Sequence, residues 1–167
     1  CSGADYEAVE LPYDGQELSM VILLPGDGSF EDFEEWLDYD VFQGIVGNLK
    51  RQHIVLEMPR FQYEYETGLK GALAALGMTA AFDPLQADFS GMDGERDLYI
   101  QDAMHKAFVS VDEMGTEAAA ATAVIVGIVS MPSVTMEINR PFIFAIRDIA
   151  TGSILFAGRV VNPSAGQ

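Results

Sequence analysis

The segment from Glu113 to Pro132, EMGTEAAAATAVIVGIVSMP, restricts the fold more than any other part of the sequence. Alanine, which dominates its first half, is the best helix former. The preceding residues, AMHKAFVSV at 103–111, instead have the composition of a β-strand, and residues 124–129 are rich in Val and Ile. Propensity alone favours an exposed alanine helix. Side chains this small also suit a strand that slides between two paired strands, so the residues themselves leave both structures open.

Composition excludes several classes of protein. The chain has 167 residues, 49% of them hydrophobic, which is enough for one domain with a core. The formal net charge of −17 and the lack of a basic patch argue against nucleic acid and anionic membranes as partners. Cys1, the single cysteine, allows no internal disulfide. The most apolar window, 118–131, is shorter than the ~20 residues of a spanning helix, and no targeting segment is recognisable.

Two β-hairpins are predicted. Residues 6–13 and 18–25 are strand-like and flank the turn DGQE. Residues 141–161 contain two apolar strands that meet at Thr151-Gly152.

The remaining elements are predicted to be mixed. Helices are expected at 28–37, with Ser29 as N-cap and Phe33, Trp36 and Leu37 on one face, and at 41–49. Residues 53–66 read as strand with Pro59 causing a bend or an edge position, and 103–111 as a further strand. Thr67 is expected to cap a helix at 68–77 that Gly77 ends. No repeat or linker divides the chain, so one domain is predicted.

A search for catalytic chemistry finds no enzyme signature. His53 and His105 lack Cys or His partners at metal-ligand spacing, and the acidic stretch 83–97 does not fit a calcium loop. GDGSF at 26–30 lacks the lysine of a phosphate loop, and DFSGMDG at 88–94 is no nucleophile elbow. The sequence therefore predicts no enzyme, no metal and no cofactor.

Several segments, in order along the chain, resemble the serpins, the serine protease inhibitor family. They are ELPYDGQELSMVILLP, LGMTAAFDPLQADFSGM, HKAFVSVDE, DEMGTEAAAATA and NRPFIFAIRDIATGSILFAGRVVNP. The resemblance implies an α+β serpin fold with mostly antiparallel sheets, a few helices and an exposed reactive-centre loop.

The resemblance covers only the C-terminal half of a serpin domain. Residues 1–167 are expected to be that part of a single domain, without the N-terminal helices and the central strands of the large sheet. The missing half is accordingly an expected partner. A split chain, a truncated product and an incomplete sequence all remain open.

The serpin mechanism implies a role for each residue of the loop. A target serine protease cleaves the loop and is trapped as an acyl-enzyme while the hinge inserts into the large sheet. The residues that match the inhibitory hinge are Glu113, Gly115, Thr116, Glu117, Ala118, Ala119, Ala120 and Ala121. Met114 departs mildly from the pattern.

The family's spacing from the hinge implies cleavage between Val129 and Ser130. Ile128-Val129 and Ser130-Met131 remain alternatives. A small β-branched residue indicates an elastase-like target, whereas Met131 would fit a chymotrypsin-like one. An extracellular location is implied. The alternatives are a non-inhibitory serpin and an inactive truncated fragment.

Overall fold

The structure, a computed structural model, describes residues 5–112, the backbone of 115–116, and residues 134–163. Two compact units are present: Cys1–Phe61 with Ser110–Gln167, and Gln62–Val109. The elements in chain order are β1 (Tyr6–Pro12), β2 (Leu18–Pro25), α1 (Phe30–Trp36), α2 (Tyr39–Gly47), β3 (Ile54–Glu57), β4 (Phe61–Gly68), α3 (Lys70–Ala75), a 3-10 turn (Ala80–Phe82), α4 (Ser90–Asp93), β5 (Met104–Asp112), β6 (Gly115–Thr116), β7 (Val134–Glu137), β8 (Phe142–Asp148) and β9 (Ile154–Val160).

An antiparallel sheet of order β1-β2-β8-β9 forms the centre of the first unit. Both predicted hairpins are confirmed: β1 pairs with β2, and β8 pairs with β9. Gly152 lies in the second turn with a φ of 75°, a conformation that glycine adopts without strain. The pairing is mostly antiparallel and the fold is α+β, as predicted. One pair, β3 with β7, is parallel.

Each face of this sheet is covered by apolar side chains. Helices α1 and α2 pack on one face, in a buried cluster that consists of Ala8, Val21, Leu23, Phe33, Phe42, Ile45 and Ala145. On the other face, the ring of Phe61 lies 5.6 Å from that of Phe142 and 5.4 Å from that of Phe144. The nearly continuous burial of β2 and β8 follows from this two-sided packing.

Helix starts were predicted less accurately than hairpins. Ser29 occupies the N-cap position of α1, but its hydroxyl donates a hydrogen bond to the carbonyl of Gly26. The cap of α2 is Asp38, whose carboxylate accepts the Val41 N–H, and the sequence reasoning missed it. Thr67 is part of β4, so its predicted role as a cap of α3 is wrong.

The second unit contains β4, α3, the 3-10 turn, α4 and most of β5. Strands β4, β5 and β6 form a sheet in that order. Nζ of Lys106 on β5 lies 2.9 Å from Oε2 of Glu64 on β4, and the two side chains form an exposed ion pair. Gly77 follows α3 with a φ of 99°, which agrees with its predicted role in ending that helix. Pro59 lies between β3 and β4, so the predicted strand at 53–66 is interrupted there and forms two strands.

Candidate hinge and reactive loop

Strand β5 ends at Asp112, immediately before the first residue of the predicted hinge, Glu113. Val109 and Val111 point into the protein and are buried, whereas Asp112 is exposed. Alternation of this kind is typical of a strand with one buried face. The sequence therefore positions the hinge at the end of a strand anchored by β-branched side chains.

Two residues of the hinge pair with the end of that strand. The backbone of Gly115 lies opposite Asp112, and that of Thr116 lies opposite Val111, in antiparallel register. Two residues separate Asp112 from Gly115 in the sequence. Gly115 and Thr116 of the predicted hinge thus form a short strand, β6, beside the end of β5.

The other predicted site residues lie outside the described residues. These are Glu113, Glu117, Ala118, Ala119, Ala120 and Ala121 of the hinge, together with Val129 and Ser130 of the expected reactive bond. Of the predicted site, the structure therefore positions only the backbone of Gly115 and Thr116.

An open cavity of about 330 Å³ lies beside the end of β5. Val111 and Asp112, the residues that pair with the hinge, are part of its lining, and most of the other side chains are apolar. They come from the end of β1 and the residue after it, from β2, from β3 and from the segment around Pro59: Leu11, Pro12, Tyr13, Met20, Leu56, Met58, Pro59 and Arg60. Any group that fills this cavity contacts the strand end on which the hinge pairs.

Among the described residues, no group of three or more His, Cys, Asp or Glu side chains is suited to hold a metal ion. His105 lies on β5, as the strand pattern predicted, and its side chain is exposed. Tyr63 on β4 has a raised pKa because burial disfavours the charged phenolate. Within the described ranges, no helix is long and apolar enough to cross a membrane.

The family model described as "Serpin (serine protease inhibitor)" matches residues 2–163. The chain belongs to the serpin family. A serpin-like protein of Thermococcus kodakarensis is 42% identical to it, over 97% of this chain and 38% of that protein. Human leukocyte elastase inhibitor is 44% identical, over 93% of this chain and 43% of the inhibitor. The chain thus spans about two fifths of the length of the curated relatives it matches.

Solved serpin structures have the same fold. Native tengpin, a thermophilic serpin, superposes with a TM-score of 0.77 at 34% identity, over 96% of this chain and 43% of tengpin. Thyroxine-binding globulin in complex with thyroxine also gives a TM-score of 0.77, at 29% identity, over 95% of this chain and 41% of the globulin. The serpin fold expected from the sequence is confirmed.

Sequence reasoning missed the residues that receive the hinge. Val111 and Asp112 were assigned only to the incoming strand, although they also form the ladder with Gly115 and Thr116. The available signal was the spacing: two residues between a strand end and a glycine are the length of a hairpin turn.

Proposed function

We propose that the complete protein inhibits serine proteases as a suicide substrate. The catalytic serine of the protease attacks the carbonyl carbon of the bait residue, and the peptide bond breaks with the following residue as leaving amine. The bait residue then remains bound to the protease as an ester. Insertion of the hinge into the large sheet pulls the protease away before water hydrolyses this ester. The chain acts as substrate and trap, not as an enzyme.

The pairing of Gly115 and Thr116 with the end of β5 carries this proposal. Insertion requires that the loop become a strand beside β5, and these two residues already lie in that register. Each further residue that joins the ladder gives backbone groups a hydrogen-bond partner.

The residues that follow β6 suit insertion. Ala118–Ala121 have the smallest side chains that keep a Cβ, so they enter a paired sheet with little steric resistance. Glu113 and Glu117 complete the hinge pattern on either side of β6. A loop with bulky or charged residues in place of Ala118–Ala121 would stop insertion after the first pairs.

We assign the reactive bond to Val129-Ser130. Ile125, Val126, Ile128 and Val129 are apolar, and no basic residue lies between Thr116 and Pro132, so the loop suits an apolar protease groove. An elastase-like enzyme is the first candidate target, and the 44% identity to leukocyte elastase inhibitor is consistent with it. Cleavage at Ile128-Val129 or Ser130-Met131 remains the alternative, and a cut after Ile128 keeps the apolar preference. A chymotrypsin-like target would be favoured only if Met131 itself were the bait residue.

The inhibitor needs the other half of the serpin domain. The large sheet that receives the loop requires strands besides β4 and β5, and we propose that the remaining part of a serpin domain, whether on the same or another chain, supplies them. Domain limits of 1–167 within a single serpin domain follow from this. By family resemblance we place the complete protein outside the cell.

A carrier function is the second candidate. The solved structure of thyroxine-binding globulin, a structural neighbour, is a complex with thyroxine. A carrier does not need loop insertion, whereas this chain keeps the small hinge residues from Gly115 to Ala121 that insertion requires. An inactive truncated fragment is the remaining alternative.

The test is complex formation by the complete protein with pancreatic elastase, chymotrypsin and trypsin. An inhibitor gives a detergent-stable band with the combined mass of protease and protein minus the peptide that follows the cut. Loop cleavage without such a band, by all three proteases, would contradict the proposal and favour the carrier or the fragment.

A further inference from the structure

Two exposed aromatic side chains lie where helix α1 meets helix α2. Trp36 ends α1 and is 53% exposed, and Tyr39 begins α2 and is 56% exposed. The sequence pattern predicted that Trp36 shares a helix face with Phe33, and of these two only Phe33 is buried. We call residues 31–40 the α1–α2 aromatic face. Tryptophan and tyrosine are enriched among the residues that contribute most to protein–protein binding.

The indole of Trp36 is held in place by other rings. Its centroid lies 5.6 Å from the ring of buried Phe33 and 6.4 Å from the ring of Tyr6. Tyr6 and Phe33 are themselves 5.5 Å apart. A side chain that is already fixed loses little conformational entropy when a partner covers its exposed part.

Acidic residues flank these two aromatic residues in the sequence. Six of the ten residues in the face are acidic and none is basic: Glu31, Asp32, Glu34, Glu35, Asp38 and Asp40. Glu34 pairs with Arg159, and Asp38 caps α2. Among the described residues, the side chains of the other four have neither a hydrogen-bond nor an ion-pair partner. The face therefore combines exposed π-systems with unneutralised negative charge.

We propose that the α1–α2 aromatic face docks a lysine- or arginine-rich segment of another protein. A guanidinium or ammonium group over Trp36 or Tyr39 gains a cation–π contact, and neighbouring carboxylates such as Glu35 and Asp40 pair with further basic side chains. The net charge of −17 makes a second copy of this chain a poor occupant because the two copies repel each other. This surface lies outside the hinge and the loop, so the proposal does not depend on protease inhibition.

The test uses an arginine–lysine hexapeptide as probe, with an equally long glutamate peptide and spermine as comparisons. Trp36 is the one tryptophan in the 167 residues. The difference in fluorescence emission between wild type and Trp36→Phe therefore isolates the signal of Trp36. The same difference isolates it in a longer protein that contains further tryptophans. A saturable change with the basic peptide, weakened by salt, is expected. No change, or equally tight binding of spermine, would overturn the proposal.

Matched double variants separate local from overall charge. Glu35→Gln with Asp40→Asn should weaken peptide binding about tenfold, which corresponds to about 1.4 kcal/mol, because two carboxylates that would pair with basic side chains of the peptide are lost. Glu95→Gln with Asp97→Asn removes the same charge from an exposed loop of the other unit and should change the dissociation constant less than about twofold. Equal losses in both variants would show non-specific attraction and contradict docking. If the protein self-associates and the double variant Lys50→Gln with Arg51→Gln abolishes that association, a second copy occupies the face and the proposal of a different partner protein is wrong.

Discussion

Nη1 of Arg147 on β8 lies 3.4 Å from Oε1 of Glu10 on β1, although β2 separates the two strands. The hydroxyl of Ser19 on β2 donates to the same oxygen at 2.6 Å. A polar row thus crosses three strands of the sheet. Arg147 is only 8% exposed. Its Nη2 donates a hydrogen bond to the carbonyl of Ile149. Its Nε is buried and has no hydrogen-bond partner within the described part of the protein.

Glu10→Ala should destabilise the protein more than Arg147→Met does. Loss of Glu10 leaves a buried guanidinium without a counter-charge, and breaking such a pair from one side costs roughly 3–5 kcal/mol. Arg147→Met removes the charge and keeps an apolar stem, so its cost should be about 1 kcal/mol. Urea unfolding of both variants measures the order, and a larger loss in Arg147→Met would contradict this role of Glu10.

The turn between β8 and β9 should respond to acid through Asp148. The hydroxyl and the backbone N–H of Thr151 each donate to Asp148 Oδ1 at 2.7 Å, and these bonds lower the pKa of the carboxyl group. Because the folded pKa lies below the unfolded one, the stabilisation is complete above about pH 4 and is lost as the pH falls through the folded pKa. Thr151→Val should move the pKa of Asp148 back up in an NMR titration. Asp88, whose pKa Ser90 lowers, should not change.

Local signals predicted the hairpins but not the long-range polar contacts. The turns at DGQE and Thr151-Gly152 follow from neighbouring residues, and the structure confirms them. The row of Glu10, Ser19 and Arg147 depends on the order and register of three strands, which no short window contains.

Helix α3 shows a different limit of sequence reasoning. Thr67 is a residue type that caps helices, yet the ladder of β4 includes it, because strand pairing competes with capping for the same backbone. For the candidate site, the family motif identified Gly115 and Thr116. Their partners on β5 required the structure.

Thr116→Arg should convert the complete protein from inhibitor to substrate. Thr116 lies opposite Val111 in the second pair of β6, and insertion would carry an unpaired charge into the sheet at a cost of several kcal/mol. Insertion slows, and water hydrolyses the acyl-enzyme. Gel analysis with elastase measures the ratio of complex to cleaved protein. Thr79→Arg, the same change at an exposed position, is the control. A wild-type yield of complex from Thr116→Arg would contradict hinge insertion.

Cleavage of the loop should stabilise the complete protein. A cut between Val124 and Met131 frees residues 115–123 to extend the ladder that Gly115 and Thr116 begin. Each added hydrogen bond contributes about 1 kcal/mol, which corresponds to a rise in Tm of roughly 10 °C or more for the whole insertion. Calorimetry before and after limited proteolysis measures the change in Tm. An unchanged Tm would support a non-inhibitory serpin.

Val129→Arg should redirect the inhibitor from elastase-like to trypsin-like proteases. An apolar specificity pocket offers no counter-charge to an arginine side chain, whereas the pocket of a trypsin-like enzyme contains an aspartate that pairs with it. Differences at one apolar side chain are worth about 1–3 kcal/mol, so inhibition of elastase should fall roughly 10- to 200-fold. Ile125→Arg, four residues before the proposed bait, is the matched control and should not create trypsin inhibition. Mass spectrometry of the peptide released from the complex locates the cut independently. A peptide that begins at Ser130 supports Val129 as the bait residue, while one that begins at Val129 or Met131 moves the bait to Ile128 or Ser130 and contradicts the assignment.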